Sequence, residues 1–450
     1  MYFIKTIAQE IYNKIKIISF LEYYLIVCYF LIFGSLGSNV INLLNHENIN
    51  NIHSIADLRS VFPILIFFLN TYYIFKKKIK TDEIEKIFIC LVLGYFLGTL
   101  FNFEDNNDFK ISFLFNPLAL ITTHIISKRN LNITYRLGIF IFFISIVLVL
   151  FYSQNRVGYG GGWINILGNK IIFINSNGAS RLICFVNLLL LTNLVYNKNY
   201  INIKSIISIL CIITLTTLVI ISEGRVNIGI VLISSSIIFL NKNISFLKKL
   251  LLFLFIIIFA FYLSKLNSGE NSDNMRFKFK LKESLNSDLK ESLNSNIDIL
   301  FQSEKNQNQE ENWNRFNKWS LIVNELSKSK VAKIIFGSGP EHDRMLLKDN
   351  GLKWHADAAN GLLYSLLCGG IIAAIMYILV LKKTIYNLFF FIKKKKFLIK
   401  KSHSDIFCFV CPLLLIIRSL FENGFTMWGV DFIVIIISLS HIENKYHLEN

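Results

Sequence analysis

Apolar runs of about 17 to 22 residues recur along this chain, and no other feature limits its fold so severely. Each is long enough to cross a bilayer core of roughly 30 Å. A backbone in lipid must satisfy its own hydrogen bonds, so such runs are helices. Hydropathy places about twelve spans, near residues 17–37, 58–75, 86–103, 111–127, 135–153, 178–196, 205–222, 226–240, 250–266, 361–381, 406–421 and 429–441. The last is short, which leaves eleven as the alternative count. The expected fold is all-α, a polytopic membrane protein with about twelve transmembrane helices. A chain that is 53% hydrophobic and 17% charged fits no soluble globular class. All seven cysteines fall in or beside the apolar runs, and an odd number of thiols in lipid gives no disulfide framework. The lone pair Cys408 and Cys411 reads as helix packing. At the N-terminus, Lys5, Lys14 and Lys16 run into an apolar stretch with no small-residue cleavage site, as in an uncleaved first span.

The formal charge of +17 raises the question of a nucleic-acid partner. No basic and aromatic nucleic-acid motif accompanies it, and the positive residues cluster between spans, so nucleic acid is excluded. With the N-terminus in the cytoplasm, the clusters Lys76 to Lys78, Lys128 with Arg129, Lys248 with Lys249, and the run from Lys382 to Lys401 all fall inside. The opposite short loops carry few lysines, and one, from Glu104 to Asp108, is acidic. This is the positive-inside asymmetry, and it puts both termini in the cytoplasm. Helices one to nine then occupy 1–266, one large outer loop fills 267–360 ahead of the tenth helix, and helices ten to twelve occupy 361–450. The loop is periplasmic if the cell has two membranes.

The loop divides by composition. Residues 267–312 are rich in Asn, Ser, Lys and Glu and hold a tandem octapeptide at 281–288 and 289–296, which reads as a spacer. From 313 to 360 the pattern is helical, with Trp313, Phe316, Ser320, Val323 and Leu326 on one face. A Gly-x-Gly turn, Gly337 to Gly339, follows. Next come ionisable residues, including His355 and Asp357, packed against the start of a span, where they are costly to hold and mark a site.

Three arginines interrupt spans near their outer ends: Arg181, Arg225 and Arg418. Glu422 and Asp431 belong to the same layer, and Arg315 lies in the outer loop. Singly, each arginine could snorkel to the interface or pair with a carboxylate. Three at one depth favour an anion site, because the guanidinium fork holds phosphate oxygens bidentately and stays charged when partly desolvated.

The architecture, over nearly the whole chain, resembles the O-antigen ligase and O-antigen polymerase superfamily of membrane glycosyltransferases. The stretch Asn175 to Arg181 looks like the family's Asn-rich opening of a span, and Ser222 to Val226 looks like its Ser/Arg turn. Arg315 and Trp319 followed by Gly337 to Gly339 look like its Arg, Trp and Gly-x-Gly run. Asn360 with Gly370 ten residues on is similar to its Asn-to-Gly-Ile helix. One departure is plain: the family commonly carries His immediately before that asparagine, and here the residue is Ala359, with His355 about one turn earlier. The resemblance implies transfer of a glycan from an undecaprenyl-pyrophosphate carrier at the outer face of the bacterial inner membrane. The acceptor would be lipid A core for a ligase or a lipid-linked repeat for a polymerase. Arg225, Arg418, Arg315 and Arg181 would bind the pyrophosphate. His355 would be the first candidate for the base, with Asp357 or Glu223 next. No cofactor and no metal-ligand cluster is expected. The rival from another class is a lipid-linked oligosaccharide flippase or other transporter, which intramembrane arginines would serve equally well.

Overall fold

The computed structural model describes residues 20–36, 52–101, 112–134, 136–139, 163–166, 169–172, 176–196, 202–221, 225–240, 245–268, 315–350, 358–393, 402–422 and 430–446. The fold is helical. In chain order, the first helices are α1 (Phe20–Leu36), α2 (Ile52–Lys76), α3 (Glu83–Phe101) and α4 (Ser112–Asn130). After them come α5 (Ser176–Tyr196), α6 (Ile203–Ile221), α7 (Arg225–Ser235, continued by a 3-10 turn, Ser236–Leu240) and α8 (Phe246–Ser268). Residues 315–350 supply α9 (Arg315–Lys328), α10 (Val331–Phe336) and α11 (His342–Asp349). The chain then closes with α12 (Gly361–Lys393), α13 (His403–Ser419) and α14 (Val430–Tyr446). Every expected span but the fifth coincides with one of these helices. The fifth beyond residues 136–139, which are helical, and the spacer at 267–312 apart from the last turn of α8, fall outside the described residues. One element is not foreshadowed by the hydropathy pattern, an antiparallel hairpin of β1 (Trp163–Ile166) and β2 (Asn169–Ile172).

Three of the helices are long and apolar enough to cross a membrane: Glu83–Phe101, Phe246–Ser264 and Gly361–Phe391. The second is only 11% buried within the protein. It leaves Leu251, Phe255, Ile258 and Tyr262 uncovered, while α2 leaves Phe62, Leu65, Phe68 and Tyr72. Apolar faces this continuous are stable against lipid and costly against water. Between helices, the contacts are polar as well as apolar. Asn70 Nδ2 donates to Thr123 Oγ1 at 2.9 Å, Asn187 Nδ2 to Thr216 Oγ1 at 3.1 Å, and the Tyr95 and Ser365 hydroxyls share a hydrogen bond of 3.0 Å. Such bonds hold helices together where apolar burial gives no preference for protein over lipid.

The central pair is α3 against α12. Helix α12 is broken at Gly370, whose φ of 64° and ψ of −163° lie in a region essentially reserved for glycine. A break strips the preceding turn of its donors, and the chain replaces them from elsewhere. Ser338 N donates to Leu367 O at 2.9 Å and Gly339 N to Cys368 O at 2.8 Å. Gly337 (φ 79°) lies so close that a Cβ there would sit 2.5 Å from Cys368 O and from Gly370 N. From α3, Gly98 closes the contact, since its Cβ would meet Cys368 O at 2.6 Å and Phe336 O at 2.7 Å. Phe101 stacks on Phe336 with centroids 4.0 Å apart. The Gly-x-Gly turn and the Gly370 break are thus two halves of one joint.

Candidate functional site

Residues far apart in sequence meet where α5, α7, α12 and α14 begin and α13 ends. Asn227 Nδ2 donates to Ser180 Oγ at 2.6 Å and Cys184 Sγ to Asn227 O at 3.7 Å, which fastens the first turn of α7 to α5. Arg225, two residues before Asn227, therefore opens α7 beside the turn that carries Arg181. Arg418, in the last turn of α13, donates from Nε (2.8 Å) and Nη2 (2.5 Å) to Glu422 Oε2. Its Nη1 lies 3.3 Å from Asp431 Oδ2, and Arg181 Nη1 lies 3.9 Å from the same oxygen. Asp431 thus sits between two guanidinium groups. Its side chain is fully buried and that of Arg418 is 2% exposed, whereas Arg181 is 31% exposed. A buried charge is tolerable only when it is paired and hydrogen-bonded, and both conditions are met for Arg418.

The mouth of α12 closes over the same layer. Asn360 Oδ1 accepts from the N–H groups of Leu362 and Leu363, each at 3.0 Å, and so caps the helix. Its Nδ2 donates to Leu420 O at 3.1 Å, tying that cap to the end of α13, where the Tyr377 and Ser419 hydroxyls are also bonded at 2.6 Å. Helices α9 and α11 dock on Ala358. Trp319 Nε1 of α9 donates to Ala358 O at 3.0 Å, and Ala358 N donates to Asp343 Oδ2 of α11 at 2.8 Å. This puts Arg315, at the start of α9, over the ring of Phe421, with Cζ 5.7 Å from the centroid. Several helix starts gathered at one end, with arginines among them, favour negative charge. A small apolar cleft of about 20 Å³ between α5, α7 and α13 adjoins them, lined by Arg181, Phe185, Leu188, Ile230, Leu414 and Arg418.

Of the residues expected from sequence, Arg181 and Arg418 meet through Asp431, and Arg315 reaches the neighbouring Phe421. The backbone of Arg225 belongs to the same layer. His355, Asp357 and Glu223 lie outside the described residues. The role expected for Arg418 is narrowed, because its Nε and Nη2 donate to Glu422 and its Nη1 is ion-paired with Asp431. It reaches a bound anion directly only if one of those carboxylates yields. Arg181 is partly exposed and Arg315 is exposed. Among the described residues, no group of three or more His, Cys, Asp or Glu is placed to hold a metal ion. Comparison with known proteins found no family model that matches the chain, and no similar curated protein or solved structure.

Sequence reasoning missed a second polar layer at the opposite end of the bundle. Lys128 Nζ lies 2.8 Å from Asp82 Oδ2 and 2.7 Å from the fully buried Glu85, with His124 Nε2 3.5 Å away from the latter. Lys383 of α12 joins Glu83 of α3 to Glu443 of α14. Asp405, in the first turn of α13, accepts from His441 (2.8 Å), Lys445 (2.8 Å) and Ser402 N (2.9 Å). Burial alone would raise the Asp405 pKa, but these bonds from His441, Lys445 and the backbone prevail and hold it well below the usual carboxylate range. The signal was present in the sequence: carboxylates at 82, 83, 85, 405 and 443 recur at the same ends as the lysines used for topology.

Proposed function

We propose that this protein is a polytopic transferase of the bacterial inner membrane, with about twelve spans, cytoplasmic termini and residues 267–360 on the periplasmic side. It moves a glycan from undecaprenyl pyrophosphate to lipid A core, as an O-antigen ligase, or to a lipid-linked repeat, as an O-antigen polymerase. The observation that carries this reading is the meeting of Arg181, Arg418 and Asp431 at the mouth of α12, under the helix that brings Arg315 over Phe421. Arg181, Arg225 and Arg315 would grip the pyrophosphate, and Arg418 would fix the Asp431 carboxylate that orients Arg181.

The chemistry needs no metal in principle. The acceptor hydroxyl attacks the anomeric carbon while the bond from that carbon to the pyrophosphate oxygen breaks. The electron pair leaves with undecaprenyl pyrophosphate, whose growing charge fixed arginines stabilise. The hydroxyl proton passes to His355 or, as the second choice, Asp357 or Glu223. A neutral imidazole is available for this near pH 7. At position 359, where the resembling family commonly has His, the alanine has a φ of 50°. Left-handed backbone of this kind is several-fold enriched in His, Asn and Asp, so the site keeps a main chain suited to the family's residue without the residue itself.

The break in α12 at Gly370 is the one observation favouring a flippase or other transporter, since broken helices serve alternating access. A purified assay separates the two. With lipid-linked donor and acceptor in nanodiscs, the transferase reading expects a new glycosidic product, and loss of that product when Arg181 and Arg225 are both alanine and the protein still inserts. His355→Ala should lower the rate by about 10² to 10⁴. Normal transfer by the double alanine variant would sink the anion site. A silent His355→Ala beside a dead Asp357→Asn would move the base to the carboxylate.

A further inference from the structure

The joint at Gly370 fixes how deep the outer loop reaches. Lys383 and Glu83 pair at the inner ends of α12 and α3. An ion pair of this kind sits at or beyond the hydrocarbon boundary, not within it. At roughly 1.5 Å per residue, Gly98 stands about 22 Å above Glu83, and Gly370 about 20 Å above Lys383. The hydrocarbon core is about 30 Å thick, so both glycines lie about 8 to 10 Å below its outer edge. Helix tilt, or an ion pair placed further into the headgroups, would put them deeper still. Residues 336–339 touch both glycines, and a Cβ on Gly370 would strike Ile335 O. Trp319, by contrast, bonds at Ala358, near the start of α12. Between Trp319 and Ile335 the chain therefore descends about 15 Å along α12, the length of ten helical residues.

We propose that residues 331–339 are a re-entrant segment in the outer leaflet, with the face of Val331 and Ile335 against acyl chains. The inference rests on the membrane placement proposed above. Three features agree with it. First, non-helical backbone at membrane depth survives only when protein satisfies it. Gly337, Ser338 and Gly339 are all buried, and their N–H groups donate to Lys333 O, Leu367 O and Cys368 O. Second, Val331 is 70% exposed and Ile335 38%, and they continue the uncovered apolar surface of Phe101 and Ile371 on the helices this segment touches. Third, Lys328 and Lys330 are exposed just ahead of α10. Val331 is only about 6 Å from Ile335 along α10, and the long lysine side chains ahead of it can snorkel toward the phosphate level. Acyl chains are the occupant because the neighbouring surface is already lipid-facing and the flanking charges suit phosphate headgroups.

The test is photo-crosslinking in the full-length protein, in nanodiscs of phosphatidylethanolamine and phosphatidylglycerol. p-Benzoylphenylalanine replaces Ile335 in one variant and Val331 in another. Ile378 on the lipid face of α12 is the positive control, and Asp349 on α11 the negative. Mass spectrometry should find lipid adducts at Ile335 and Val331 at levels within about threefold of Ile378, and none at Asp349. Folded variants at both positions that are as free of adduct as Asp349, while Ile378 reacts, would overturn the proposal. If one variant fails to fold, the other decides. Adduct formation requires neither turnover nor a particular sidedness. Failure of the transferase reading would leave the adducts in place, and an inverted topology would appear separately, as protection of Ser327→Cys from an impermeant thiol reagent in spheroplasts.

Discussion

Replacing Gly370 with alanine tests the joint between α12 and the Gly337–Gly339 turn. The φ of 64° with ψ of −163° costs a residue with a Cβ about 1 to 3 kcal/mol. The new methyl would also meet Gly337 N at 2.5 Å and the carbonyl carbon of Ile335 at 2.5 Å, both backbone atoms that cannot swing aside. Relief requires the loop to lift, which forfeits the bonds from Ser338 N and Gly339 N at about 0.5 to 1.5 kcal/mol each. The total is about 2 to 6 kcal/mol. Thermal unfolding in nanodiscs, followed with a thiol-reactive dye, reads this directly because Cys368, Cys408 and Cys411 are buried. Cys368 lies under the loop and should label at a lower temperature than the other two. Gly94→Ala is the control on the same helix pair: its Cβ would meet Ala373 N at 3.3 Å and nothing nearer. The gain in helix propensity, about 1 kcal/mol, should roughly offset that contact. If Gly370→Ala melts with Gly94→Ala and Cys368 labels no earlier, the loop is not seated in the break.

Asp431→Asn leaves the buried Arg418 with Glu422 alone and removes the carboxylate shared with Arg181. Losing one partner of a buried pair costs about 3 to 5 kcal/mol, so the variant should melt well below wild type; an unchanged melting temperature would mean that the pair is solvated. Asp405→Asn should lose about 1 to 3 kcal/mol at neutral pH, the worth of a hydrogen bond to a charged group. The Asp405 pKa is depressed by folding, so its contribution is present above the unfolded carboxylate value near 4 and fades as pH falls through the lower folded value. The gap between wild type and variant should therefore close only below about pH 4, as measured by unfolding in a pH series; a gap that closes above that value would show that these partners do not hold the carboxylate ionised. On the transferase proposal, deleting residues 281–288 should leave glycan transfer near normal, because loop closure changes by roughly 0.6 kcal/mol per halving of length. Complete loss with normal expression would make the spacer a working part.

Much of this architecture was legible because lipid removes alternatives. A run such as 361–381 has no structure open to it in a bilayer except a helix, so its position could be read from hydropathy alone. The arginines at 181 and 418 were legible for a related reason: a charge within an apolar run is too costly to be incidental. The sequence could not say that Arg418 spends its donors on Glu422 and Asp431. That depends on how the end of α13 meets the start of α14, and a polar group's partners are chosen by tertiary approach rather than by spacing. The inner network was hidden in the same way, since Asp82, Lys128 and Asn444 become neighbours only once three helices pack. Above all, the glycines at 337 and 370 looked like two separate motifs. Only the folded chain could bring them to one point, where a helix lacking a side chain gives up its own hydrogen bonds and a loop lacking one comes close enough to supply them.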